Sequence, residues 1–188
     1  MIYKIAICDD SAAAREHIAA LTADWAKKSG ISVHPLLFSS AEAFLFCYAE
    51  EKDFDILLLD VEMGKLSGID LAKAVRKENA TVQIVFITGY YEYFSDGFDV
   101  SALHYLIKPV DERKLYPVLD KAVGNLSYRQ RSVLVSTPDA DIKVPLADIL
   151  YVEAEKVYVQ VHTVNEVYRS RISLAKFMEQ LDETFYQV

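Results

Sequence analysis

The chain has 188 residues, 52% hydrophobic and 26% charged, so it holds ample material for a buried core and is not a disordered or low-complexity protein. Its 20 basic and 28 acidic residues give a formal net charge of -8, which excludes binding to a polyanion by bulk charge and leaves only a local basic face for such a partner. Cys8 and Cys47 sit in apolar stretches and form no disulfide framework. With no membrane-spanning run and no signal peptide at MIYKIAICDD, the expectation is a cytoplasmic protein with reduced thiols and no membrane partner.

From residue 1 to about 124, short apolar runs alternate with helical patterns. The strand candidates are Tyr3–Cys8, Ile31–Phe38, Asp55–Leu59, Val82–Ile87 and Leu103–Ile107. Ile56-Leu57-Leu58-Leu59 and Ile84-Val85-Phe86-Ile87 are continuous rather than alternating, as strands covered on both faces of a parallel sheet require. Ser11 is placed to cap a helix through Lys28, with Ala14, Ile18, Leu21 and Trp25 on one face and Gly30 as its stop. Ser40 opens Ala41–Ala49, Ser67 or Gly68 opens Ile69–Glu78, and Asp111 opens a last helix to about Leu126; a further helix is expected over Tyr91–Val100. Strict alternation of five strands with helices predicts an α/β fold, a doubly wound five-stranded parallel sheet.

The pattern changes near Ser127. SYRQR, residues 127–131, reads as the polar part of a short link over 125–131, and residues 132–188 read as mainly β. Strands are expected at Ser132–Ser136, Ile142–Pro145, Ile149–Glu153, Val157–His162 and Glu166–Ile172, followed by a Ser173-capped helix with Leu174, Phe177, Met178 and Leu181 on one face. Four or five strands and one helix make a small core, so this half reads as part of a larger domain.

Four strand ends carry chemistry. Strand one ends in Asp9-Asp10-Ser11, strand three in Asp60, strand four in Thr88-Gly89 and strand five in Lys108-Pro109. In an open α/β sheet all four fall on the rim that binds ligands. Three close carboxylates repel one another, and a hard divalent cation relieves that repulsion. A carboxylate can also act as a nucleophile and carry a phosphoryl group as an acyl phosphate, whose oxygens a cation, a lysine and a hydroxyl would stabilise.

On these residues the first half resembles the receiver domain of two-component response regulators, which has a flavodoxin-like fold. The matching motifs are Asp9-Asp10, LLLDVEMGKLSGIDLA around Asp60, Thr88, and YLIKP at Tyr105–Pro109. The resemblance implies that Asp60 is phosphorylated by a sensor histidine kinase. It further implies that Asp9, Asp10, Asp60 and the backbone carbonyl of Glu62 bind Mg²⁺, and that Thr88 and Lys108 contact the phosphoryl group. It makes Tyr105 an aromatic switch, the peptide before Pro109 cis, and the phosphorylated protein a homodimer. Gly64 and Gly89 depart from the family pattern, in which a Pro and often an Ala stand there, and bear on loop stiffness and access.

The second half resembles the N-terminal part of a LytTR-type DNA-binding domain, on VPLADILYVEAEKVYVQVHT and RISLAKFMEQLDETFYQV. In that family a histidine-arginine-serine segment and more strands follow, so DNA binding is expected to be weakened or lost in a chain that stops at Val188. Lys156, Tyr158, Arg169 and Arg171 are the candidate DNA contacts. The half is nonetheless not basic, with 7 basic and 9 acidic residues from 125 to 188. The leading expectation is a transcription-regulating response regulator, a phosphoacceptor rather than an enzyme. Two other readings stay open: a receiver acting through protein binding alone, and an aspartate-nucleophile phosphohydrolase, for which Glu62 stands where an Asp general acid is wanted.

Overall fold

The structure is a computed structural model and describes residues 2–89, 100–181 and 185; the helix expected over Tyr91–Val100 lies outside the described residues except for Val100. Two compact units divide the chain, Met1–Val123 and Gly124–Val188.

In the first unit the apolar runs become β1 (Ile2–Cys8), β2 (Ser32–Phe38), β3 (Ile56–Leu59), β4 (Gln83–Thr88) and β5 (His104–Ile107), parallel throughout in the order β2-β1-β3-β4-β5. The two continuous runs fill the middle. Every residue of β3 and β4 is buried, whereas β2 and β5 are half exposed. Pro35, which has no N–H to donate to a ladder, sits in β2 at the sheet edge.

Helices α1 (Ala12–Ser29), α2 (Ala41–Glu50), α3 (Gly68–Glu78) and α4 (Glu112–Gln130) follow β1, β2, β3 and β5. The hydroxyls of Ser11, Ser40 and Ser67 cap the first three, and Gly30 ends α1 in the left-handed conformation its sequence position suggests. On one face of the sheet Ala6, Cys8, Leu57, Leu59, Ile84 and Phe86 pack with Phe44, Tyr48, Leu71 and Val75 of α2 and α3. The alternate residues Ile5, Ile7, Ile56, Leu58, Val85 and Ile87 are equally buried on the other face. There α1 and α4 are joined by a hydrogen bond from Trp25 Nε1 to Asp120 Oδ1 (2.8 Å). The buried stripe of α1 is Ile18, Thr22, Trp25 and Ala26; Ala14 and Leu21, expected on that face, are only half buried.

The link expected at Ser127–Arg131 is instead helical as far as Gln130. The reason is compositional: SYRQR is polar but holds neither Gly nor Pro, and nothing in it breaks a helix.

The second unit begins with the hairpin β6 (Ser132–Ser136) and β7 (Asp141–Pro145) and a single 3-10 turn at Leu146–Asp148. A second antiparallel sheet follows, β8 (Ile149–Glu155), β9 (Tyr158–Thr163) and β10 (Val167–Ser170) in the order β10-β9-β8, then the short α5 (Leu174–Met178). Val133, Val135, Val144, Leu146, Val159, Val161 and Phe177 form its core. The β8–β9 turn is tighter than expected, because Glu155 pairs with Tyr158 and leaves only Lys156 and Val157 between them. Val157 is therefore exposed in the turn and takes no part in the Val159–Val161 stripe.

Candidate functional site

The parallel ladder runs one step past the strand ends and so places the site. Asp9 N donates to Phe38 O (3.2 Å), Asp60 N to Cys8 O (2.8 Å) and Lys108 N to Thr88 O (2.9 Å). Asp9, Asp10 and Asp60 each bring a carboxylate oxygen within 4.8 Å of the others. Asp9 and Asp60 are buried and Asp10 is exposed, which leaves the cluster open on one side. Thr88 is fully buried at the end of β4.

Lys108 bridges the two buried acids, with Nζ 2.6 Å from Asp9 Oδ2 and 2.5 Å from Asp60 Oδ2. Burial opposes a charged ammonium there, but the bonds to Asp60 and Asp9 outweigh it and hold Lys108 above the usual lysine range. For Asp60, burial raises the carboxyl above its ordinary value, Lys108 offsets part of that rise, and the Asp9 charge adds to it. Asp9 Oδ1 accepts from Ser11 N (2.9 Å). Asp60 Oδ1, in contrast, is buried and has no hydrogen-bond partner among the described residues. A buried acceptor left in this way is costly, and its retention points to a ligand. The donor set fits a hard divalent cation: three carboxylates, one with a partnerless oxygen, on a rim with an exposed side.

Gly68, at the start of α3, presses on the same loop. A Cβ at this position would fall 1.9 Å from Asp60 O, and Gly68 N donates to Val61 O (2.9 Å). Only glycine permits this approach. Sequence reasoning treats Gly68 as a helix start and misses its contact; the available signal is the glycine in the first turn of a helix, where it has no propensity to recommend it. Gly64, in the same loop, has φ +75°. Glu62 is exposed in that loop, the Lys108–Pro109 peptide is cis, and Tyr105 is half buried with its ring 5.6 Å from that of Phe86.

Of the candidate DNA contacts, Tyr158, Arg169 and Arg171 lie side by side, and Lys156 sits in the turn that precedes Tyr158. Lys156 lies in the β8–β9 turn with φ +55°. Arg169 is engaged within the sheet, 3.2 Å from Glu155 and stacked over the Tyr158 ring at 4.1 Å. Arg171 lies just past β10, which ends at Ser170 and not at Ile172, and it lines a cavity with Tyr158, Lys176 and Phe177.

Comparison with known proteins adds to this geometry. Residues 5–120, more than half of the chain, match the response regulator receiver domain. The chain belongs to the response-regulator family. Residues 139–188 of this response regulator match the LytTr DNA-binding domain, so a LytTR domain follows the receiver. The chain is similar to the sensory transduction protein LytT of Bacillus subtilis, 28% identical over 98% of this chain and 79% of that protein. It is also similar to LytT of Enterococcus faecalis, 26% identical over 97% of this chain and 78% of that protein. Among solved structures, the receiver domain of AraT, a response regulator from Geobacillus stearothermophilus, superimposes with a TM-score of 0.59 at 27% identity, covering 69% of this chain and 99% of that one. A receiver followed by a LytTR domain is the arrangement of a two-component response regulator that controls transcription through DNA. No helix among the described residues is long and apolar enough to cross a membrane.

Proposed function

We propose that this response regulator is switched by phosphorylation of Asp60, with a sensor histidine kinase as donor. The observation that carries the reading is the buried, partnerless Oδ1 of Asp60 beside Asp9, Asp10 and Lys108. In the transfer a carboxylate oxygen of Asp60 forms a bond to phosphorus as the phosphorus–nitrogen bond of the donor's phosphohistidine breaks, and the imidazole nitrogen leaves with the electron pair. The carboxylates of Asp9, Asp10 and Asp60 and the carbonyl of Glu62 would hold Mg²⁺, which when bound supplies positive charge against the phosphoryl oxygens. Lys108, already at Asp60, contacts the phosphoryl group, and the Thr88 hydroxyl does the same from the end of β4. Tyr105 repacks as Thr88 moves, which shifts the receiver between two states and favours a homodimer on DNA.

Asp60→Asn should abolish Mg²⁺-dependent labelling of the full chain by a small phosphodonor such as phosphoramidate. Labelling retained in that variant overturns the assignment.

One observation favours the second reading, output through protein binding. The outer face of the β8–β10 sheet presents Glu153 and Glu155, and Glu155 neutralises Arg169. A gel-shift titration of the phosphorylated chain at stated salt separates the two outputs.

A further inference from the structure

Two helices that follow site strands place a cation in their first turn, where the helix dipole disfavours positive charge. Arg15 is the fourth residue of α1 and Lys114 the third of α4. Neither side chain is spent on an acid of its own helix. Arg15 Nη1 reaches back to donate to Asp9 O at 2.5 Å. Lys114 Nζ reaches back across the start of α4 to Pro109 O (2.7 Å) and Ile107 O (3.2 Å), the carbonyls on either side of Lys108. A third side chain joins the two loops, with His17 Nε2 of α1 lying 2.8 Å from Val110 O. A carbonyl oxygen can only accept, so the proton on that ring nitrogen is assigned to Nε2.

These bonds converge on one relationship. The Asp9 carbonyl is held from α1, the Ile107 and Pro109 carbonyls are held from α4, and His17 ties α1 to the residue after Pro109. Between the two gripped loops lies the Lys108 bridge to Asp9 and Asp60. An exposed lysine that immobilises its long stem on two carbonyls loses rotamer freedom, and it does so against the dipole of its own helix. Helix stability would be better served by an acid or a neutral residue at either place.

We propose that Arg15 and Lys114, with His17 between them, are positioning residues for phosphoryl transfer, gripping the backbone of the Asp9 and Lys108 loops so that Lys108 stays registered on Asp60. This rests on the reading of Asp60 as the phosphoacceptor. The grip is made by N–H donors on carbonyls, so it depends on donor number and reach and not on side-chain volume.

The test uses the full chain with Mg²⁺ and phosphoramidate, reading the labelling rate against donor concentration together with the melting temperature. Lys114→Met and Arg15→Met keep length and lose the donors. The maximal labelling rate should fall about tenfold in each, the size expected for a loss of registration, with little change in the donor concentration giving half the rate. The melting temperature should hold or rise, because each change removes a cation that opposes a helix dipole. Lys114→Arg and Arg15→Lys should recover most of the rate. Should a Met variant fail to fold, Lys114→Leu and Arg15→Leu, which also lose the donors, take its place with the same expected fall in rate. Met variants labelled as fast as the parent chain overturn the proposal, as does a rate loss that follows a fall in melting temperature and is not rescued by the conservative variants. Failure of the parent chain itself to label counts against Asp60 as phosphoacceptor instead.

Discussion

Gly68 and Asp60 are locked backbone to backbone: the missing side chain of Gly68 leaves room for the Asp60 carbonyl, and a Cβ there would lie 1.9 Å from its oxygen. The clash would be with main chain, which cannot rotate away. Gly68→Ala should therefore destabilise the receiver by about 2 kcal/mol despite alanine's better helix propensity, because overpacking against fixed atoms outweighs that gain. It should also slow labelling of Asp60. Urea denaturation of the two proteins checks the first effect, and an alanine variant as stable as the parent would show that the loop can yield.

Trp25 and Asp120 offer a second test, on the opposite face of the sheet. Trp25 is 1% exposed and its indole N–H is satisfied by Asp120 Oδ1 at 2.8 Å. Asp120→Ala removes that acceptor, and because Asp120 is itself exposed, water takes part of its place and the cost should be about 1 kcal/mol. Because Trp25 is the chain's single tryptophan, its fluorescence reports the unfolding directly. Asp120→Asn, whose side-chain oxygen still accepts, should lose much less.

Much of this architecture is legible in the sequence because burial writes itself locally. The unbroken runs Ile56–Leu59 and Ile84–Ile87 announce the central strands. The acid cluster is legible for a related reason: Asp9, Asp60, Thr88 and Lys108 each follow an apolar run directly, and a parallel sheet brings such ends to one rim. Relationships between distant backbones leave no such mark. Nothing near Gly68 tells that it meets Asp60, and nothing near Arg169 tells that Glu155 faces it across β9's pairing with β8 and β10. The α4 helix outruns its expected end because the polarity of SYRQR marks an exposed segment and not a helix stop; the same helix already runs through Pro117 and Gly124.

Asp55 predicts a pH dependence away from the acid cluster. Burial raises its carboxyl above the ordinary aspartate value, partly offset by the bond it accepts from Lys4 N (2.8 Å). A carboxyl raised in the folded state penalises folding above its folded pKa, and the penalty disappears below the unfolded value of about 3.9. Asp55→Asn keeps an oxygen for Lys4 N and removes the charge. It should melt a few degrees higher than the parent at neutral pH, with the difference closing as the pH falls toward 4. A gain that is the same at both pH values would mean the charge is not its source.

Lys156 sets stability against function in the second unit. It occupies one of the two places in the β8–β9 turn with φ +55°, a conformation that costs a lysine more than a glycine. A turn under no other demand would carry Gly or Asn there. Lys156→Gly should accordingly raise the stability of the unit by about 0.5 kcal/mol, the relief of left-handed strain less the extra freedom of an unfolded glycine. If the lysine is kept for a phosphate of DNA, the same variant should bind DNA more weakly across all sequences, with a salt slope shallower by about one. Gel-shift titrations at two or more salt concentrations decide it. A variant that gains stability and leaves both affinity and slope unchanged would remove Lys156 from the DNA-contacting surface.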